Sequence, residues 1–411
     1  MRWQVVKIDS LKADARYSLV GGPFGSDLTT RDYVEDGVPV VRGTNLPDDR
    51  EFLDDGFVYV REEKADALKS NTAYPGDLVF TQRGTLGQVG IIPERPRYSR
   101  YLISQSQMKL TVDPKRVCSR YIYYYFRHPE TIQKVRNQAL TSGVPHINLG
   151  ILKTFEIPLP PLPVQMGIIK VLSTYDGLIE NNRRRMELLE DAARQMYQEW
   201  FVRLRFPGYE HTRIVNGSPD NWERCRVIDF GTVITGKTPS TRNKDYYGSD
   251  IPFVKTPDMH GNVHVLETAT NLSEKGANTQ AGKFLPAGTL LVSCIGTVGV
   301  VSITSETCQF NQQINAVVPF SDYYRYYCFF AFKNLKPRLD AIGGGVTMAN
   351  VSKGKFENLD IICPARDLLQ GFDEFCNPIF NQIQSLARQN QKLRTARDLL
   401  LPKLMSGEMS V

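Results

Sequence analysis

The chain has 411 residues, 41% hydrophobic and 23% charged, with a mean hydropathy of −0.30; these values exclude disordered and fibrous proteins and point to two or three domains. Fifty basic residues against 44 acidic ones leave a net charge of +6, which permits a nucleic-acid partner without demanding one. Seven cysteines with no C-x2-C pair, and only five histidines, exclude a disulfide framework and a zinc cluster. No run approaches the ~18 apolar residues of a membrane span and no signal-like segment opens the chain, so a cytoplasmic protein with no membrane partner is expected.

In chain order, the first elements are short strands between turns, and each of them comes back later. Val38-Pro39-Val40-Val41-Arg42 returns as Ile251-Pro252-Phe253-Val254-Lys255. Gly76-Asp77-Leu78-Val79-Phe80-Thr81 with Gly84-Thr85-Leu86-Gly87 returns as Gly288-Thr289-Leu290-Leu291-Val292-Ser293 with Gly296-Thr297-Val298-Gly299. Gln105-Ser106-Gln107-Met108 matches Asn311-Gln312-Gln313-Ile314, and Gly143-Val144 with Asn148-Leu149 matches Gly345-Val346 with Asn350-Val351. Phe155 to Pro160 matches Leu359 to Pro364. Five collinear blocks with a slowly drifting offset make a tandem duplication with a period near 205 residues, far too long for a solenoid. Between the strands, Tyr121 to Phe126 and Tyr323 to Phe332 read as aromatic-rich helices. Each globular part is therefore mixed α+β.

Each repeat closes on a long helix. After Pro158 to Pro163, expected to be extended, apolar residues recur at Ile168, Leu172, Tyr175, Ile179, Met186, Leu189, Ala193, Met196 and Trp200, with Asn182 in the polar slot. The second copy runs Phe372, Cys376, Ile379, Ile383, Leu386, Asn390, Leu393, Arg397, Leu400 and Leu404. Steps alternating four and three make heptad seams. Antiparallel pairing with Asn182 opposite Asn390 sets Ile179 against Leu393, Leu189 against Ile383, Trp200 against Phe372 and Ile168 against Leu404. A buried Asn pair costs stability and fixes register. Two independent amphipathic helices are the alternative, and Gly177 and Pro378 count against a straight coil. Thirty-six residues at ~1.5 Å each give a rod of roughly 54 Å, against roughly 34 Å for a DNA turn.

The chemistry-bearing residues sit in the duplicated loops. Arg42, Thr44 and Asn45 parallel Lys255 and Thr256; Arg83 and Thr85 parallel Ile295 and Thr297; Gln105 and Gln107 parallel Asn311 and Gln312. Arg, Asn and Gln can read base edges, Lys and Thr suit phosphates, and glycines admit a close backbone. The scaffold repeats while its characters diverge, with His146 answering to Met348, as two readers of different half-sites would require. Each residue alone reads equally well as a hydrogen-bonded turn. Gly231 to Thr238 satisfies the P-loop pattern with Lys237, yet Pro239 follows directly and works against the required helix. A turn whose Gly and Lys approach a polyanion fits better. Asn377-Pro378-Ile379-Phe380 falls inside the seam and reads as core rather than as a methyltransferase motif.

Pro158 to Gln165 entering a helix, Glu199-Trp200-Phe201 ending it, and the tail Arg397 to Glu408 together resemble the specificity subunit of a Type I restriction-modification system, over the whole chain. The resemblance implies two pseudo-symmetric α+β target-recognition domains, residues 1–163 and 204–365, separated by two long antiparallel coiled-coil helical regions, 164–203 and 366–411. It implies no catalytic site and no cofactor of its own. Double-stranded DNA, two DNA-methyltransferase (modification) subunits and restriction (motor-nuclease) subunits would be its partners, each domain reading half of a split site. The candidate DNA contacts are then Arg42, Thr44, Asn45, Arg83, Thr85, Gln105, Gln107, His146, Lys237, Lys255, Thr256, Thr297, Asn311 and Gln312. Two other readings stay open: an NTPase using Lys237, and a protein-interaction scaffold that never touches DNA.

Overall fold

The computed structural model describes residues 3–139, 145–344 and 349–411; Gly143-Val144, Gly345-Val346 and Met348 lie outside the described residues. The chain divides into two compact units, Met1–Glu180 with Lys392–Val411, and residues 181–391. Each unit takes in part of both long helices.

In the first unit, a four-stranded antiparallel sheet sets Gln107–Leu110 between Leu19–Gly21 and Leu78–Thr81, with Val89–Ile91 at the edge. A second sheet holds the parallel pair Val38–Val41 and Tyr101–Ile103. Gln4–Lys7 pairs with Glu156–Leu159. The second unit repeats this plan. Ile314–Pro319 lies between Gly231–Thr235 and Leu290–Ser293, followed by Val301–Thr304. Ile251–Val254 runs parallel to Gln309–Phe310, and Glu223–Arg226 pairs with Asp360–Cys363. His264–Val265 joins the larger sheet beside Val301–Thr304 and widens it to five strands. Shared topology, including a parallel pair unusual in short-stranded sheets, is the structural form of the duplication.

The two aromatic segments are helices, Ser119–Arg127 and Arg325–Asn334, and Tyr121 to Phe126 and Tyr326 to Phe332 are buried without a break. A helix apolar on every side has to be enclosed on every side; here each packs into a core that also contains residues of the long helices. Their tyrosine hydroxyls still need partners: Tyr121 donates to the Pro158 carbonyl at 2.8 Å, and Tyr327 to that of Ile362.

The long helices are Leu162–Tyr197, extended by a π turn over Gln198–Val202, and Arg366–Ser406. The first begins earlier than the proline run implied. Pro163 lies in the first turn, where its missing N–H would have no intrahelical partner anyway. Pro378 and Gly177 break neither helix, because packing on the cores outweighs local propensity. Within the second unit, Asn182 Nδ2 donates to Asn390 Oδ1 at 3.0 Å, both side chains buried, and the Trp200 and Phe372 rings lie 6.0 Å apart. Within the first unit, Ile168 and Leu404 are fully buried in one cluster. Arg397, a seam position, is met by Asp176, its Nη1 lying 2.6 Å from Asp176 Oδ1. Asn377 to Phe380 lies within the second helix, but only its second half is core: Phe380 is wholly buried and Ile379 half-buried, whereas Asn377 and Pro378 are exposed.

Candidate nucleic-acid interface

At one end of the first unit's sheets, three loops converge. Arg42, Gly43 and Thr44 leave strand Val38–Val41; Arg83, Gly84 and Thr85 leave Leu78–Thr81; Ser104 and Ser106 precede Gln107–Leu110. Together with Thr81, Gln88 and Gln107 they line a concavity of about 480 Å³. Arg83 forms a β-bridge with His146, which brings that histidine to the same rim. Arg83, Thr44 and Thr85 are exposed. Arg42 Nη2 reaches the Gly56 carbonyl at 3.3 Å, while its Nε is buried without a hydrogen-bond partner. Two guanidinium groups over a floor of Gln, Ser and Thr offer fork-shaped donors to phosphates or guanine edges and two-way hydrogen-bonding groups to the rest.

The second unit builds the same address with other side chains. Ile295 forms a β-bridge with Asn350 where Arg83 bridges His146. The described counterpart of His146 is therefore Asn350, two residues from the Met348 inferred from the repeat. The helix caps shift likewise, Asn148 answering to Ser352. Lys237, Thr297 and Gln312 are exposed, and Thr238 Oγ1 donates to Gln312 Oε1. Lys255 Nζ donates to Thr270 Oγ1 at 2.8 Å.

Four candidate contacts belong to the scaffold instead. Asn45 is fully buried: its Oδ1 accepts from the Arg42 amide at 3.0 Å, and its Nδ2 donates to the Leu53 and Asp55 carbonyls at 3.1 and 2.9 Å. Asp258 plays the matching part, accepting from the Lys255 amide at 2.8 Å. Thr256 is buried in the turn that follows. Gln105 donates to the Gly25 carbonyl at 3.1 Å and to that of Leu28. Asn311 is buried and bonded to Gln313 at 2.9 Å. The three amide side chains spend hydrogen bonds on holding loops, and the Thr256 hydroxyl is buried without a partner, so none of the four is placed to meet a base. Gln88 was missed, although its counterpart Val300 diverges just as Ile295 does from Arg83, which was the signal available.

The P-loop match does not fold as one. Gly231–Thr235 is a strand, no helix starts at Lys237, and the Lys237 amide is taken by the Phe310 carbonyl at 3.1 Å. An amide already bonded cannot cradle a phosphate, so Gly231 to Thr238 is not an NTPase phosphate loop. Gly236 has a packing role: a Cβ there would lie 2.0 Å from the Asn311 carbonyl, as one on Gly22 would lie 2.1 Å from that of Ser104. Among the described residues, no group of His, Cys, Asp and Glu could hold a metal, and no helix is long and apolar enough to cross a membrane.

A duplicated scaffold that presents different polar groups at the same two addresses defines a recognition protein. Residues 35–191 and 219–386 match the Type I restriction modification DNA specificity domain, and the chain belongs to that family. It is a non-catalytic DNA-specificity subunit of the Type I restriction-modification class. Subunits of that class bind DNA and assemble with other subunits. The chain is similar to the HindI specificity subunit of Haemophilus influenzae, 28% identical over 81% of this chain and 86% of that one. It is also similar to the MjaIX specificity subunit of Methanocaldococcus jannaschii, 27% identical over 85% and 81%. In fold it resembles the crystal structure of a Type I restriction-modification S subunit from M. genitalium, with a TM-score of 0.55 over 98% of this chain and 96% of that one at 16% identity.

Proposed function

We propose that the two units read the two halves of a split double-stranded DNA site, the first through Arg42, Thr44, Arg83, Thr85 and His146, with the buried Gln107 as the floor beneath them, the second through Lys237, Lys255, Thr297 and Gln312. The observation that carries this reading is the arginine-lined concavity at the loop end of the first unit, set where the second unit carries Ile295 and Asn350. Loops of one shape with unlike side chains suit unlike base sequences. Residues 1–163 and 204–365 then serve as recognition domains. Residues 164–203 and 366–411 serve as the docking surface for two modification subunits and as the spacer that sets the gap between half-sites; restriction subunits join that assembly, in the cytoplasm. Two helices of 36 and 41 residues, in antiparallel register at Asn182 and Asn390, support the spacer role.

The test is Arg83→Ala in the assembled complex, read by mapping methylated adenines. Loss of one bidentate guanidinium should relax base preference within one half-site and weaken binding by about tenfold. Equal relaxation of both halves, or of neither, would overturn the assignment.

A further inference from the structure

Beside the arginine concavity stands a side chain that base-edge reading does not use. Phe24 is 84% exposed, in the loop that follows strand Leu19–Gly21. A single exposed apolar residue is ordinary on a protein surface; its mounting is what sets Phe24 apart. On one side of it, Pro23 is buried and Gly22 is pressed against the Ser104 carbonyl so closely that a Cβ would stand 2.1 Å away. On the other, Leu28 is buried, and Gln105 ties down the Gly25 and Leu28 carbonyls. Between these anchors the Asp27 amide closes a turn on the Phe24 carbonyl at 2.9 Å. The loop is clamped at its base against Ser104 and Gln105, and Ser104 itself lines the concavity.

We propose that Phe24 is a wedge that enters the base stack of the half-site read by the first unit. This rests on the half-site reading above and adds a DNA deformation to it. Arg42 and Arg83 would draw the phosphodiester backbone to the rim, and the apolar surface offered there by a duplex is the face of a partly unstacked base pair. Rigidly held Phe, Leu or Met side chains at such places open one base step and kink the helix, and yielding pyrimidine–purine steps accept them at the lowest cost. The wedge therefore selects for deformability at a step that no polar group touches. The second unit provides the internal control. Its loop Gly236-Lys237-Thr238-Pro239-Ser240 is pressed in the same way on the Asn311 carbonyl but carries no aromatic residue. Only one half-site should be wedged.

The experiment uses the assembled complex and a duplex bearing its methylation-mapped site, with a fluorescent adenine analogue placed at each step of one half-site and then of the other. With the unaltered protein, one step in the first unit's half-site should brighten several-fold on binding, and none in the other half. Phe24→Ala should abolish the brightening and weaken binding by about tenfold; Phe24→Trp should keep both. No brightening at any step, or a Phe24→Ala complex that brightens and binds as before, would overturn the wedge. So would a Phe24→Ala loss traced by native mass spectrometry to missing modification subunits, since Phe24 would then be a protein contact. Arg42→Ala separates this from the parent reading. If Arg42→Ala weakens the first half-site and Phe24→Ala does not, the wedge falls and the reading stands; if neither matters, the reading of the first unit falls as well.

Discussion

The two units grip the long helices at corresponding positions with opposite chemistry. In the first, Tyr124 donates to Asp176 at 2.6 Å, and Asp176 also takes Arg397 at 2.6 Å, with the Arg397 and Asp176 side chains 12% and 20% exposed. The repeat places Phe330, Phe380 and Ala193 at the matching positions of the second unit, all buried, with the two rings 6.0 Å apart. Burial and the nearby Asp176 charge hold the Tyr124 hydroxyl protonated far above its usual range, so it serves as a fixed donor. One backbone address thus accepts an ion pair or an aromatic pair. The ion pair carries the desolvation cost that the aromatic pair avoids, and its strength depends on both charges being present.

The sharpest way to break that comparison is to remove one charge. Asp176→Ala leaves the largely buried Arg397 with only the half-exposed Asp398 as counter-charge, at 2.9 Å, and should cost about 2–3 kcal/mol in urea unfolding. Transplanting the other unit's trio, Tyr124→Phe with Asp176→Phe and Arg397→Ala, should return stability to within about 1 kcal/mol of the natural chain, because a well-packed apolar set can replace a buried ion pair. A triple variant as weak as the single one would show that the two grips are not interchangeable.

A smaller effect is expected at the register pair. Asn182→Leu removes the donor that Asn390 Oδ1 accepts from and should cost about 1–2 kcal/mol. Adding Asn390→Leu should recover at least that much, and a double-mutant cycle measures the coupling. Independent effects of the two changes would mean that the 3.0 Å contact does not hold the helices in register.

The smallest effect is expected from acid, because two shifts in the second unit oppose each other. Burial lowers the His264 imidazole from 6.5 to about 4, with Arg325 and Arg388 adding to it. The unfolded chain therefore takes up a proton that the fold refuses, and this contribution to stability is lost as pH falls from 6.5 toward 4. Burial raises the Asp373 carboxyl from 3.8 to about 6, against the pull of Arg325 and with the push of Asp322 and Glu374. Its contribution is present below 3.8 and is lost as pH rises toward 6. Between pH 4 and 6 the two nearly cancel, so thermal unfolding of this unit should stay almost flat. Asp373→Asn should tilt the profile toward loss of stability in acid; an unchanged slope would contradict the assigned shifts.

What could be read in the residues was whatever the chain states locally or states twice. The doubled strands, the aromatic helices and the Asn182–Asn390 register follow from spacing alone. The parallel pairing of Val38–Val41 with Tyr101–Ile103 joins segments some sixty residues apart and has no local signature. Asp176 escaped because a seam is found by counting apolar positions, and an acid beside Tyr175 reads as solvent-facing until Arg397 and Tyr124 arrive from elsewhere in the chain. Asn45 looked like a base reader because reading and capping use the same amide. The deciding clue was its spacing, three residues after Arg42, as Asp258 stands three after Lys255.

The central claim is that two copies of one scaffold, differing in loop chemistry, each own one half of the DNA site. It is tested most directly by replacing residues 1–163 with those of another family member and mapping methylated adenines made by the assembled complex. One half-site should change to the donor's, with the other half and the gap between them unaltered. A change in both halves, or in the gap, would contradict it.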